Sequence, residues 1–349
     1  MEGPFPPTLE IALDVKNVSG VFTTLVRERF GRHAQLRNLA AEHIQRRVIR
    51  YNAQILKPEK QPTVEWSVIG KVYTESDKMA RSFRAMKQLW ENGFSHQADD
   101  GITIPEPFQC LPDLRMILME EVGGEPLRPL VKNMTVTPDH MRLLARIAVK
   151  LHRCPIILGQ PLTIEDRLSR CDPSPETLAQ AYPSLAVSID YIVRTAKEMQ
   201  TDNIFTLVHG DFHLGQIHIE NGDARLLDLD PLKYADPALD LAEVFVFLKR
   251  TSRKEKKSKY IETLRDAFLS EYFSRMDWDI AGRIPLYEGL LHLKRACKVF
   301  RVQDEAGWET KVARVVEQAV ACLKAVEPNH KKLDFDTVIE LYNRCPGEA

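Results

Sequence analysis

The stretch VHGDFHLGQIHIENGDARLLDLD, residues 208–230, carries Asp211, Gln216, Asp228 and Asp230 in an order that suits phosphoryl transfer. That reaction asks for little covalent chemistry. It needs a carboxylate near the acceptor hydroxyl, oxygen ligands for magnesium on the phosphates, and a cation for the remaining phosphate oxygens. Asp211 would accept the proton of the attacking hydroxyl or orient it. Gln216 can present an amide oxygen to Mg²⁺, Asp228 a harder anionic one, and Asp230 either ligates the metal or turns the chain. Lys71 would neutralise the phosphates. His209, Asp211, His213, His218 and Asp228 also suit the zinc or iron of a metallohydrolase. That second reading leaves without purpose the strand, lysine and helix around Lys71 and the later DPALDL segment.

The elements that must position these groups are legible in outline. QIHIE and ARLLDLD flank Asn221-Gly222, a dipeptide suited to a tight hairpin turn, so Asp211 and Asp228 fall on opposite sides of one hairpin. Upstream, RRVIRYNAQIL, a KPEKQP turn and TVEWSVIGKVY predict paired strands between Gln45 and Tyr73. Met79, Phe83, Met86, Leu89 and Trp90 recur at helical spacing after Asp77, with Gly93 placed to end the helix. RMILMEEV, residues 115–122, predicts a buried strand, and GGEPL breaks it. The lobe boundary is placed there, giving a nucleotide-binding lobe 1–121 and a catalytic and acceptor-binding lobe 122–349. From Thr137 the chain turns helical, and Asp236 and Asp240 are expected to hold the catalytic loop and cap a helix. Arg253 to Lys257 reads as a solvated connection between helices.

The 349 residues suffice for two lobes, and 48 basic against 49 acidic residues, a net charge of −1, offer no field for nucleic acid or an anionic membrane. The six cysteines form no CxxC pair, which predicts reduced thiols. The N-terminus lacks a signal-peptide pattern, and no run approaches a membrane span, so a soluble cytoplasmic protein is expected.

VHGDFHLGQIHI, LLDLD and ADPALDLAEVF together resemble the HGDxxxxN, DxD and DPxxDLA motifs of aminoglycoside phosphotransferase-like kinases, a family that includes choline, homoserine, maltose and glucosamine kinases. The HGDxHxGQ form is similar to the maltokinase and glucosamine-kinase branch. The resemblance implies an α+β, bilobal protein-kinase-like fold. Its small N-terminal lobe would hold an antiparallel sheet and one helix, and its larger C-terminal lobe would be mainly helical. ATP and Mg²⁺ would be the cofactors and a small molecule the acceptor. By position it gives Asp211 the catalytic role, Asp228 a metal role, Lys71 the phosphate lysine, and Glu120, Glu121 and Val122 the adenine-contacting linker.

Three departures stand out. Gln216 replaces asparagine. The helix after Lys71 has Arg81 and Arg84 at its centre and no glutamate, leaving Glu75 and Asp77 to pair with the lysine. The turn before the Lys71 strands, EHIQRR, has no glycine. These departures keep open a pseudokinase that binds nucleotide or a partner without turnover. Family resemblance places acceptor contacts on the C-terminal helices. There Glu288, His292 and Arg295 share a helical face, which suits a neutral sugar or amino sugar, and His213 near the acceptor is a further candidate substrate contact.

Overall fold

The computed structural model describes residues 7–57, 62–127, 129, 133–199, 204–220, 222–251, 255–304, 306–325 and 334–345. Asn221 and residues 58–61 and 253–254, parts of three expected connections, lie outside this set. The chain forms two compact units, residues 1–125 with 218–230, and residues 126–217 with 231–349. The first break thus falls just past the boundary expected at 121, but the segment holding Asp228 groups with the N-terminal part.

The first unit opens with helices α1 (Pro7–Leu13) and α2 (Ser19–Phe30). Strands β1 (Gln35–Gln45), β2 (Val48–Leu56) and β3 (Val64–Val72) lead to helix α3 (Ser76–Leu89). After the short β4 (Ile102–Thr103) come β5 (Pro107–Leu111) and β6 (Met116–Glu120). The main sheet is antiparallel in the order β1-β2-β3-β6-β5.

Strand β2 alternates strictly, with Ile49, Tyr51, Ala53 and Ile55 buried. Alternation of this kind puts one face of a sheet into a core. That face receives α1 and α2: the Phe22 ring lies 5.1 Å from Tyr51, whose hydroxyl donates to the Ala12 carbonyl at 2.6 Å. Burial pushes the Tyr51 phenol up. On β3, Val68 and Val72 share the inward face and Lys71 takes the other.

Strand β1 has no counterpart in the hydrophobic pattern, and residues 42–47, which the sequence predicts as a turn, are mostly strand, with only Arg46 and Arg47 linking β1 to β2. The reason is physical: none of the β1 residues is fully buried, so no hydrophobic alternation marks it. Helix α3 ends through a wide turn at Trp90–Phe94, where Gly93 takes φ +90°, as the sequence predicts. Strands β7 (Glu125–Pro126), β9 (Ile217–Glu220) and β10 (Asp223–Leu226) join β4 in a second sheet, ordered β4-β10-β9-β7.

The second unit is mainly helical. Helix α4 (Pro138–His152) starts with a capping box between Thr137 and His140. Then come α5 (Ile164–Ser169), α6 (Pro175–Ala181) and α7 (Ala186–Glu198). Strand β8 (Thr206–Val208) pairs antiparallel with β11 (Lys233–Ala235), and these two bracket the functional loop. Helices α8 (Ala238–Thr251), α9 (Glu255–Phe273), α10 (Ile284–Val302), α11 (Trp308–Ala325) and α12 (Phe335–Arg344) complete it. Part of the charge run at 253–257 thus opens α9. Among the described residues no helix is long and apolar enough to cross a membrane.

Candidate functional site

In the first unit, Lys71 Nζ lies 2.7 Å from Asp228 Oδ1 and 2.9 Å from Asp230 Oδ2. The Tyr73 hydroxyl donates to the other oxygen of Asp230 at 2.5 Å. Burial alone would lower the Lys71 pKa, but Asp230 and then Asp228 outweigh it and raise it. Burial, followed by Asp230, pushes the Tyr73 phenol well up. Asp228 has left-handed backbone, φ 51°, and its side chain is 41% exposed, whereas that of Asp230 is 15% exposed. Asp228 is therefore the more accessible donor. The lysine's partners are these two aspartates, and Glu75 and Asp77, the pairing candidates near the start of α3, do not supply them.

Glu120 and Glu121, two of the three residues expected to contact the base, are anchored by their side chains. Glu120 accepts from the Glu106 N–H at 3.0 Å and faces His96 at 3.1 Å, and Glu121 pairs with Arg50 at 2.7 Å. Glu121 and Val122 lie past the last β3–β6 pair, Val68 with Glu120, so their backbone groups stand outside that ladder.

In the second unit the His209-Gly210-Asp211 turn follows β8 and is held by a fully buried carboxylate. Asp240 accepts from the His209 N–H at 2.7 Å and the Gly210 N–H at 2.8 Å. It also faces His152 Nε2 at 3.2 Å, and His152 Nδ1 lies 2.8 Å from the Tyr272 hydroxyl. Burial opposes the charge on Asp240, yet His152, His209 and the Gly210 N–H together lower its pKa. Asp236 accepts from the Ala238 N–H at 2.9 Å, which caps α8, and from Arg283 Nε at 2.5 Å. Both aspartates of the DPALDL segment thus do the holding and capping work that the sequence predicts.

Asp211 itself is 48% exposed, with Oδ1 3.9 Å from His213 Nε2. The Gln216 side-chain N–H donates to Asp211 Oδ2 across 3.4 Å, which turns its amide oxygen away from that carboxylate. His213 is fixed from its other nitrogen, which accepts from the Gly215 N–H at 2.9 Å. Gly210 has φ +77°, and a Cβ on it would stand 2.6 Å from Lys233 Nζ, so only glycine fits and the ammonium packs against the Asp211 turn.

Around that turn are charged residues the sequence reading did not single out. Burial, followed by Arg167, lowers the Lys233 pKa to about 8, with Lys294 and Arg170 adding to the effect. Burial, followed by Asp211, raises Glu243 to about 7. The Arg167 guanidinium lies 5.5 Å over the Tyr287 ring, and its buried Nε has no hydrogen-bond partner among the described residues. No contiguous motif links these residues, so their only sequence signal is charge on segments otherwise packed as core.

The expected acceptor residues on α10 are placed differently from one another. Glu288 is 0% exposed and held by Lys249 Nζ at 2.8 and 2.9 Å, and that ammonium sits 4.3 Å over the Tyr342 ring. His292 is 2% exposed, and burial, helped by Lys249 and Arg295, lowers its pKa to about 3. Arg295 is half-buried. Among the described residues the group of His, Cys, Asp or Glu within mutual ligand range is Glu288, Cys322 and Cys345, which includes none of the residues a hydrolase reading requires. All six cysteines are free thiols.

Residues 63–279 match a family described as the phosphotransferase enzyme family. No curated protein is detectably similar in sequence. Among solved structures, a choline kinase from Cryptosporidium parvum Iowa II matches with TM-score 0.58 at 13% identity, covering 89% of this chain and 96% of that one. An amicoumacin kinase in complex with AMP-PNP, Ca²⁺ and amicoumacin matches with TM-score 0.55 at 16% identity, covering 89% and 94%. A Plasmodium vivax ethanolamine kinase gives 0.55 at 12% identity, covering 89% and 88%. At these identities the likeness is one of fold.

Proposed function

The chain belongs to the phosphotransferase enzyme family, and from that premise we propose that it transfers the terminal phosphoryl group of ATP to a hydroxyl of a small molecule, a sugar or amino sugar. The observation that carries the reading is the Asp211 turn. Two backbone N–H bonds to buried Asp240 fix the loop, yet the Asp211 carboxylate remains open to an acceptor. A carboxylate held in this way accepts or steers the proton of the attacking hydroxyl without needing a raised pKa.

Lys71 is assigned to the phosphate oxygens, and the linker from Glu120 to Val122 to the base through its backbone. Gln216 in the second unit carries an amide oxygen, a hard donor, and in the first unit Asp228 and Asp230 offer carboxylate oxygens, whose chemistry fits magnesium. Bound there, the ion would neutralise phosphate charge during transfer. Asp228 and Asp230 meanwhile hold the Lys71 ammonium in place. His213, tied down at Nδ1, keeps Nε2 toward Asp211 and is assigned an acceptor contact.

The test is ADP release from Mg·ATP across sugars, amino sugars and amino alcohols, with calorimetry of Mg·AMP-PNP alongside. Asp211-dependent ADP release with any of these acceptors supports the reading. Nucleotide binding with no acceptor turned over would replace it with a pseudokinase.

A further inference from the structure

Lys233 beside the Asp211 turn and its neighbour Arg167, both partly buried, lack among the described residues the carboxylate partners that other cations of the same unit have, and Lys294 nearby is exposed. Lys249 is clasped by Glu288, Arg283 by Asp236, and Arg265 by Asp266. Lys233, Arg167 and Lys294 make no side-chain hydrogen bond or ion pair among the described residues, and the Arg167 Nε is fully shielded from solvent. An unpaired charge taken out of water is costly unless something binds it. The lowered pKa of Lys233 is the direct sign of that cost, since burial and neighbouring cations press on the same ammonium.

Glu243, packed among them, does not cancel the field. Glu243 is driven up to about 7 by burial and Asp211, so near neutral pH it is only partly ionised, and when protonated it is a hydrogen-bond donor. Asp240 is already committed to His152 and the loop N–H groups. Position ties the cluster to the chemistry: Lys233 Nζ packs against Gly210, the residue before Asp211. A cationic acceptor held here would be repelled, and a neutral one would leave the charges uncompensated.

We propose that the acceptor carries an anionic group, a carboxylate or a phosphate, and that Arg167, Lys233 and Lys294 receive it while its hydroxyl faces Asp211. The inference rests on the phosphotransfer reading and narrows it from sugars in general to acidic ones. Arg167 is suited to a forked, two-point contact with either anion, and the lysines serve as point charges. The competing use of these cations is stabilisation of the phosphoryl group in transit, which would serve every acceptor alike.

The experiment measures ADP release and calorimetric binding, in the presence of Mg·AMP-PNP, for matched compounds: glucose, glucuronate and glucose 6-phosphate, and glucosamine with its 6-phosphate. The expected result is at least about a tenfold preference in kcat/KM or Kd for the anionic member of a set. The uronate against the phosphate then identifies the anion. Arg167→Met and Lys294→Met should erase the preference by raising KM for the anionic members far more than for the neutral parent. A neutral or cationic member preferred, or no anionic member bound while Mg·AMP-PNP binds, overturns the inference and leaves the kinase reading standing. Variants that depress anionic and neutral acceptors equally also overturn it, in favour of the transferring phosphoryl. Selective binding of the anionic members without any turnover would uphold the anion site and sink the phosphotransfer reading.

Discussion

The two units treat their functional charges in opposite ways. In the first, Lys71 is saturated by Asp228 and Asp230, and Tyr73 takes a further oxygen of Asp230. In the second, Asp211 is half exposed, and among the described residues no carboxylate clasps Lys233, Arg167 or Lys294. A saturated cluster keeps its geometry without a ligand but must release an internal ion pair to bind one. An open cluster stores an unfavourable charge arrangement that a complementary ligand relieves. The first unit is thus self-neutralised and the second is poised.

The comparison is broken most severely by removing the one acid of the open cluster that faces an acceptor. Asp211→Asn should lower kcat by about a thousandfold, the scale of a lost general base, while Mg·AMP-PNP affinity stays the same. Substantial turnover by the Asn variant would end the role of Asp211. Next in size is the clamp beneath it. Asp240→Ala leaves the His209 and Gly210 N–H groups and His152 without their buried acceptor, and should cost about 3 kcal/mol in chemical denaturation. A variant of unchanged stability would mean that the turn is held by other contacts. Asp228→Ala opens the saturated cluster instead, leaving Lys71 with Asp230. Magnesium-dependent nucleotide affinity should fall on the order of a hundredfold with little loss of folding stability. Undiminished affinity in calorimetry would transfer the metal role to Asp230.

The parts that were legible in sequence are those written in contiguous residues. The Asp211 turn, the aspartate that holds it and the aspartate that caps α8 occupy two short motifs, and the holding and capping contacts follow from those motifs. Lys71 and Asp228 meet across 157 positions, and nothing in either segment names the other. The cluster of Arg167, Lys233, Glu243 and Lys294 is likewise drawn from separate elements. Helical spacing did place Glu288 and His292 on one face of α10, but spacing cannot say which way a face points, and both residues are buried. Strand β1 was missed because an edge strand without buried residues carries no hydrophobic period.

The open cluster also titrates. Lys233 loses its charge as pH rises through about 8, and Glu243 loses its proton through about 7. The preference for an anionic acceptor should therefore be greatest below pH 7 and decline steadily above it. Stability follows with definite signs. Glu243 has a raised folded pKa, so its contribution is fully present below the unfolded value of 4.5 and is lost as pH rises through about 7. Lys233 has a lowered one, so the unfolded chain holds that proton more tightly and stability from this group rises between about 8 and 10.5. Selectivity between glucose 6-phosphate and glucose that stays flat from about pH 6 to 9 would remove both groups from acceptor recognition.

The smallest expected effect concerns Gln216, the residue that departs from the family's asparagine. Its side-chain N–H donates to Asp211 across 3.4 Å, so one end of the amide is used within the loop and the oxygen is the end available to a metal. Gln216→Asn shortens the arm by one methylene, roughly 1.5 Å, which is large against the narrow range of about 2.0–2.1 Å that magnesium accepts. The same shortening breaks the contact to Asp211, so orientation of the carboxylate and metal binding should weaken together. Turnover is expected to fall about tenfold, with partial recovery in Mn²⁺, because a substituted ligand set constrains magnesium more severely. Gln216→Glu keeps the reach but sets a second negative charge beside Asp211. It should bind metal at least as tightly and still transfer slowly. Measuring both variants in Mg²⁺ and Mn²⁺ separates direct ligation from a water-bridged role. An Asn variant as active as the parent in magnesium alone would take Gln216 out of the ligand set and leave it only the hydrogen bond to Asp211.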